Sequence, residues 1–333
     1  MNLSLRNLNK KALFLLAVIL VSMLEGFNLS IYAEQPNTPS LSLNKQNFDN
    51  VEVHWKNIPR HPKTQQLILK SSIEEKIFYG AQDTVPDALD ERIIAEALRL
   101  KNEGVRVKVL ELGAGYGVLS LKLAKLGISV YVNDLHEEFL DAMLQEADEQ
   151  QHRFIRKLPG SIPVILKNLN EDGQFDIIVC ARAFPFLSPK EVSETIKESE
   201  RLLAPNGRFY AVTVTDAAGF LPPEMKIQCE QNGGMLYIDA DKFRGLKNGE
   251  EIAPPTNTNF LIMTPDALKK QITGSSTLDI LEYGFLHRVF PRAFKAEPTQ
   301  LPVIGESTIV AQEKTTSLNA YVIAEKRDIN DEL

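Results

Sequence analysis

The chain has 333 residues, of which 44% are hydrophobic and 24% charged, a balance that supports a packed core in one large α/β domain or two small ones. Its formal net charge of −7 argues against capture of nucleic acid by a broadly basic surface, because that mode needs many cations to displace counterions. Two cysteines, Cys180 and Cys229, exclude a disulfide framework, and five histidines in no HxxH or HExxH pattern give no metal site.

In chain order, Arg6, Lys10 and Lys11 precede an apolar run over Ala12–Leu24, with a softer stretch reaching Ala33. A basic segment, an apolar run and a small residue before Glu34 read as a signal peptide over residues 1–33. A signal anchor is the alternative, since Ala12–Ala33 approaches the ~20 residues that span a bilayer. Either reading places the remaining chain on the non-cytoplasmic side, exported or membrane-anchored, with delivery into a host cell as one destination. Membrane contact is then confined to residues 12–33, if these are retained. Residues 34–86 read as a lead-in, with Trp55 as an anchor onto the domain that follows, over 87–333.

Leu89, Ile93, Ile94, Ala97 and Leu98 recur at helical spacing after Asp87, a candidate N-cap, and Gly104 ends that helix. Val105–Leu112 reads as a buried strand, a glycine turn follows, and a helix runs through Leu119–Leu126. Ser129–Asn133 is the next strand and Glu137–Gln151 a helix. A weakly marked strand is placed near Phe154–Leu158. Phe175–Ala181 is a short buried strand, Lys190–Leu203 a helix, Pro205-Asn206-Gly207 a turn and Arg208–Thr215 a further strand. Residues 216–258 are irregular and rich in Pro and Gly, Thr264-Pro265 opens a helix, and Leu278–Arg288 and Ala320–Lys326 are late strands. This alternation predicts a doubly wound α/β fold, a mostly parallel seven-stranded sheet with a late antiparallel edge strand and an insertion after the fifth strand. The insertion, 216–258, is predicted to cover the substrate. Cys180 reads as a buried strand residue, and Tyr283, Phe285, Phe290 and Phe294 as core.

The stretch Val109-Leu-Glu111-Leu-Gly113-Ala-Gly115-Tyr-Gly117 carries the chemistry. A turn between a strand and a helix needs residues free of Cβ, for positive φ and for close approach of a ligand. The helix N-terminus behind it favours a carboxylate or phosphate. The spacing is G-x-G-x-G, with an acid two residues before the first glycine, whereas the dinucleotide fingerprint is G-x-G-x-x-G. A carboxylate at 111 suits a cationic group and repels pyrophosphate.

This motif resembles the first motif of class I S-adenosylmethionine-dependent methyltransferases. The resemblance implies that Glu111 reaches the amino-acid end of S-adenosyl-L-methionine, directly or through water, and that Gly113, Gly115 and Gly117 pack their backbone against it. Asp134, ending Val130-Tyr-Val-Asn-Asp134, would grip the ribose hydroxyls; a helix cap is its other reading. Gly160 and Ser161 would meet the adenine, and Ala181, closing the strand Phe175–Ala181, would lie near the reactive methyl. Leu202-Leu-Ala-Pro205-Asn-Gly207 is similar to the family's segment before the fifth strand. Arg182 reads as a solvated loop residue, with a place beside substrate as the alternative, and Tyr116 either covers the cofactor or faces solvent. No N/D-P-P-Y tetrapeptide is present, no histidine follows the fourth strand, and no catalytic residue is carried over. The implied reaction is methyl transfer to a small-molecule or lipid acceptor. A non-catalytic module of the same fold and an NAD(P)-dependent oxidoreductase are the competing readings.

Overall fold

The computed structural model describes residues 56–58, 67–73, 76–82, 87–218, 221–238, 245–247, 250–252, 259–288 and 317–328. The leader at 1–33, Trp55, Phe290 and Phe294 lie outside them. An antiparallel pair, β1 (Leu67–Ile73) and β2 (Lys76–Gln82), comes first. Helix α1 (Ala88–Asn102) starts where Asp87 caps it: the Asp87 side chain accepts from the amides of Leu89 and Asp90, and the Asp90 carboxylate accepts from the Asp87 amide. This reciprocal arrangement satisfies N–H groups that a helix start leaves without partners.

The central sheet is built from β3 (Lys108–Leu112), β4 (Ser129–Asp134), β5 (Ile155–Pro159), β6 (Phe175–Ala181), β7 (Leu203–Val214), β12 (Asp279–Arg288) and β13 (Ser317–Glu325). Its order is β12-β13-β7-β6-β3-β4-β5. Strands β3 to β7 run parallel, and β13 is antiparallel to both β7 and β12. One face packs against α1, α2 (Val118–Lys125) and α3 (Glu137–Glu146) through Ile93, Ala97, Leu121, Phe139 and Met143. The other packs against α6 (Pro189–Leu202) and α8 (Pro265–Ser275) through Val192, Ile196, Leu268 and Ile272. Both faces are covered, so the parallel strands are apolar almost throughout, as in the fully buried Leu110, Leu112, Ile177 and Ile178.

The chain moves outward from β3 through β4 to β5, then returns to lay β6 on the other side of β3. At such a reversal the connections leave the two strand ends in opposite directions and open a crevice at their carboxyl ends. The functional site belongs there.

Three elements differ from the sequence expectation. The helix expected over Glu137–Gln151 breaks at Ala147, and a short α4 (Glu149–His152) starts anew because Asp148 and Gln151 cap each other reciprocally, at 2.8 and 2.7 Å. Pro205-Asn206-Gly207 is an irregularity within β7 rather than a turn before it. Asn206 takes φ 60 and donates its N–H to the Lys326 carbonyl at 2.8 Å, so pairing continues across the irregularity. The insertion after β7 is also more regular than its Pro and Gly content predicts. It holds α7 (Pro223–Gln231), β8 (Met235–Ile238), β9 (Gly245–Lys247), β10 (Glu250–Ile252) and, after 258, β11 (Phe260–Met263). β8 pairs with β11, and the unit has its own small core of Leu221, Cys229, Leu236, Ile238, Phe260 and Ile262.

Tyr283 and Phe285 are exposed on β12 rather than buried, at 38% and 40%; β12 is the edge strand of the sheet. The Lys269 ammonium, from α8, sits 4.3 Å over the Tyr283 ring.

Candidate functional site

The glycine turn leaves β3 with three residues at positive φ: Gly113 (65), Gly115 (57) and Gly117 (61). Side chains with a Cβ are strained in that region. At Gly113 space is limiting as well, since a Cβ there would lie 2.6 Å from the Cβ of Ala183. The turn is therefore pressed against the exit of β6. Gly117 is the N-cap of α2 and has no side chain to satisfy the first turn. Glu111 does this from the preceding strand: the Ser120 amide donates to its Oε2 at 3.1 Å, and the Ser120 hydroxyl donates to the same oxygen. The acid of the motif thus holds strand, turn and helix together from beneath.

On the β4 side, Asp134 accepts the Gly115 amide at 2.7 Å on Oδ2 and the His136 amide at 2.9 Å on Oδ1. Each carboxylate oxygen can accept a further bond, so two hydroxyls can still be bound. Asp134 does not cap α3, whose N-cap is His136. The Gly160 amide donates to the Asp134 carbonyl at 3.0 Å, and the Ala114 amide to the Asn133 carbonyl at 2.9 Å. Sequence reading passed over Asn133, whose buried amide donates to the carbonyls of Leu158 and Gly160, both at 2.8 Å. The one available signal was an amide side chain inside an otherwise apolar strand. Ser161 is exposed beyond Gly160, and its carbonyl accepts the Ile165 amide at 2.9 Å. Leu135, 57% exposed, puts an apolar side chain directly after Asp134.

Ala181 closes β6, and its strand lies beside β3 with Glu111 opposite Val179 and Leu112 opposite Cys180. Asp134 is therefore bonded directly to Gly115 and Gly160, and Glu111 through Ser120 to the helix that Gly117 caps, with Ala181 on the adjacent strand end and Ser161 at the margin. Cys180 is fully buried, and burial pushes its thiol well above its ordinary value. Tyr116 is buried, edge-on to Phe139 at 4.9 Å between centroids. Arg182 is not a solvated loop residue: it forms an ion pair with Asp87 and is about one-third exposed.

The electrostatics favour a cation. Burial raises Glu111 to about 7 despite the two bonds from Ser120, and also raises Asp134. Asp90, whose carboxyl lies inside although part of the residue reaches the surface, is raised to about 8 by burial and by the adjacent Asp87. Three carboxyl groups that hold protons too tightly gain when a positively charged ligand enters, and a pyrophosphate would be repelled.

Residues 109–207 match the family model described as a methyltransferase domain. The ubiquinone biosynthesis O-methyltransferase of Coxiella burnetii is 25% identical over 181 residues, 46% of this chain and 74% of that protein. Residues 109–207 are thus a methyltransferase domain, with the motifs of the class I S-adenosylmethionine-dependent enzymes. Two similar solved structures are the S-adenosylmethionine-dependent methyltransferase of Methanosarcina mazei (TM-score 0.45, 18% identity, 69% of this chain and 97% of that one) and the magnesium protoporphyrin IX methyltransferase of Synechocystis with bound S-adenosylhomocysteine (TM-score 0.40, 16% identity, 72% and 83%).

The cofactor of this methyltransferase is S-adenosylmethionine, and the donor set fits it. Glycine backbone without Cβ leaves room for close approach, Asp134 offers acceptor capacity for a diol, and the acid-rich floor suits the positive charges on the ligand's amine and sulfonium. The cofactor supplies a methyl group already activated for displacement. What the protein would add is position, its strand ends aligning the ligand with the acceptor.

Proposed function

We propose that this methyltransferase acts on a small, largely apolar acceptor, a free metabolite or a lipid, which binds over the ends of β6 and β7 beneath the insertion. One observation carries the reading. β11 packs on the Phe184-Pro185-Phe186 turn that follows β6, with the rings of Phe260 and Phe186 6.1 Å apart, nearly perpendicular, and Phe186 41% exposed. An aromatic side chain left half open, backed by the buried Phe260, favours a flat or aliphatic acceptor beside it. The place of the Coxiella relative in ubiquinone biosynthesis supports a small-molecule acceptor. Within the proposal, Glu111 orders the glycine turn and supplies negative charge to the cofactor's amine. Asp134 holds the ribose, Gly160 and Ser161 border the adenine with Leu135 against its face, and Ala181 lies near the methyl.

The test is transfer of radiolabelled methyl from S-adenosylmethionine to three pools: small phenols and amines with lipid extract, oligonucleotides, and unfolded proteins. Label should enter the first pool alone. With an accepted substrate in hand, Phe186→Ala should raise its KM about tenfold, the loss of roughly one well-packed ring, and leave S-adenosylhomocysteine affinity unchanged. Label in nucleic acid or protein would refute the reading.

We propose as well that residues 1–33 direct export or anchoring, on the charge and apolar pattern of that segment. Among the described residues no helix is long and apolar enough to cross a membrane. Fusion of residues 1–60 to a phosphatase that folds only outside the cytoplasm should give an active reporter; an inactive, cytoplasmic fusion would rule this out.

A further inference from the structure

Asp87, at the start of α1, and Arg182, at the exit of β6, meet in an ion pair. Asp87 is the N-cap of α1, and its Oδ1 accepts the amides of Leu89 and Asp90 at 2.9 and 3.0 Å. Its carboxylate is thereby fixed in place and mostly enclosed, the side chain being 14% exposed. Arg182 is the first residue beyond β6 and adopts φ 67. An arginine gains nothing locally from that conformation, and strained backbone of this kind persists where surrounding structure enforces it. Here its own amide donates to the Val212 carbonyl at 2.8 Å and holds it in place. The result is that Nη2 of Arg182 binds Oδ2 of Asp87 instead of extending into solvent.

The location is specific. Arg182 lies at the point where the strand order reverses, one residue before Ala183, which touches the glycine turn at Gly113. Its charge acts on Glu111 beneath that turn and on Asp90 at the start of α1. The guanidinium is thus bonded to Asp87, whose amide Asp90 in turn accepts, and its field reaches Glu111.

An α-amino-acid group is a zwitterion, and recognising it requires a cation for its carboxylate and an anion for its ammonium, side by side. The Asp87–Arg182 pair is that pattern closed on itself. We propose that Arg182 binds the α-carboxylate at the amino-acid end of the cofactor and Asp87 binds the α-ammonium, so that ligand entry opens their ion pair and replaces it with two. This inference rests on the methyltransferase reading. The guanidinium suits the role because its planar donors meet a carboxylate in two parallel bonds. No covalent step is involved; one internal ion pair is exchanged for two with the ligand.

The test uses two ligands that share the adenosine and the thioether. S-adenosylhomocysteine carries the amino-acid end, and 5′-methylthioadenosine lacks it. Dissociation constants are measured by calorimetry on the full chain, with thermal melting of each ligand-free variant as a folding control. Arg182→Gln should weaken S-adenosylhomocysteine about 10- to 100-fold, the range for a lost hydrogen-bonded charge contact, and leave 5′-methylthioadenosine within about twofold. Arg182→Lys, which keeps the charge without the planar fork, should recover part of the loss. Asp87→Asn retains a capping side chain and should also weaken the first ligand selectively. Equal weakening of both ligands would mean a structural role and overturn the proposal. Unchanged binding of S-adenosylhomocysteine would overturn it too, including the case in which only the acceptor KM rises. If the wild-type chain bound neither ligand, the cofactor reading itself would fall, an outcome distinct from a selective failure in the variants.

Discussion

At the scale of single residues, the site combines two constraints in the same few positions. Gly117 shows the steric one: it sits at φ 61, and a Cβ there would lie 2.2 Å from the Sδ of Met143. Gly117→Ala must strain the backbone and displace a buried methionine, so a loss of roughly 2–4 kcal/mol is expected in chemical denaturation. Glu111 shows the electrostatic one. Its carboxyl has an ordinary value of 4.5 and is raised to about 7 in the folded protein. Between those values the unfolded chain has lost the proton and the folded chain retains it, so this group favours folding less as pH rises from about 4.5 to about 7. Cofactor binding would run the other way, because ionised Glu111 adds negative charge beneath the turn that favours the ligand's ammonium beside Asp87. Affinity for S-adenosylhomocysteine should therefore rise through pH 6 to 8 in the wild type, and part of that dependence should vanish in Glu111→Gln. Calorimetry across that pH range checks both statements; an unchanged pH profile in the variant would remove Glu111 from the linkage.

Elements were legible in the sequence where one cue dominated. The buried strands β3 and β6, and α1 with its Asp87 cap, lie close to where apolar patterning and capping chemistry put them. The glycines at 113, 115 and 117 announced their positive φ through spacing alone. Other features depended on partners remote in sequence. β7 absorbs Pro205-Asn206-Gly207 because Lys326, more than a hundred positions later, supplies the pairing. β8 and β11 are only four residues each and become strands by pairing with one another across the insertion. The break before α4 was visible in principle, since Asp148 and Gln151 have capping-box spacing. The side chain of Arg182 was read as solvated because nothing local indicates Asp87, 95 positions earlier. Capping carries measurable energy elsewhere as well. Ser188 starts α6 by exchanging bonds with Glu191. Ser188→Ala should cost about 1 kcal/mol, read as a lower midpoint in urea with unchanged slope and unchanged cofactor affinity.

Across the whole molecule, the site depends on a sheet whose strands come from distant parts of the chain. A ligand bound only by the folded state stabilises all of it, by roughly 2.7 kcal/mol at a hundredfold excess over its dissociation constant. The melting shift given by S-adenosylhomocysteine should then be larger at pH 8 than at pH 6, following Glu111 and Asp90. Equal shifts at both pH values would disconnect the carboxyl groups of the site from global stability. The antiparallel end of the sheet is tied back to the site through α1: Arg92 pairs with Glu282 on β12 at 2.7 Å, and the Tyr321 hydroxyl on β13 donates to the same carboxylate at 2.6 Å. β13 stands inside the sheet, between β12 and β7, although it is the last strand made. A polypeptide emerging from the ribosome as far as Arg288 thus has β7 with a bare edge and β12 with nothing to pair to. Such an intermediate is open to mispairing and attractive to holding chaperones. Late completion of the sheet therefore leaves the domain unfinished until synthesis has passed residue 317.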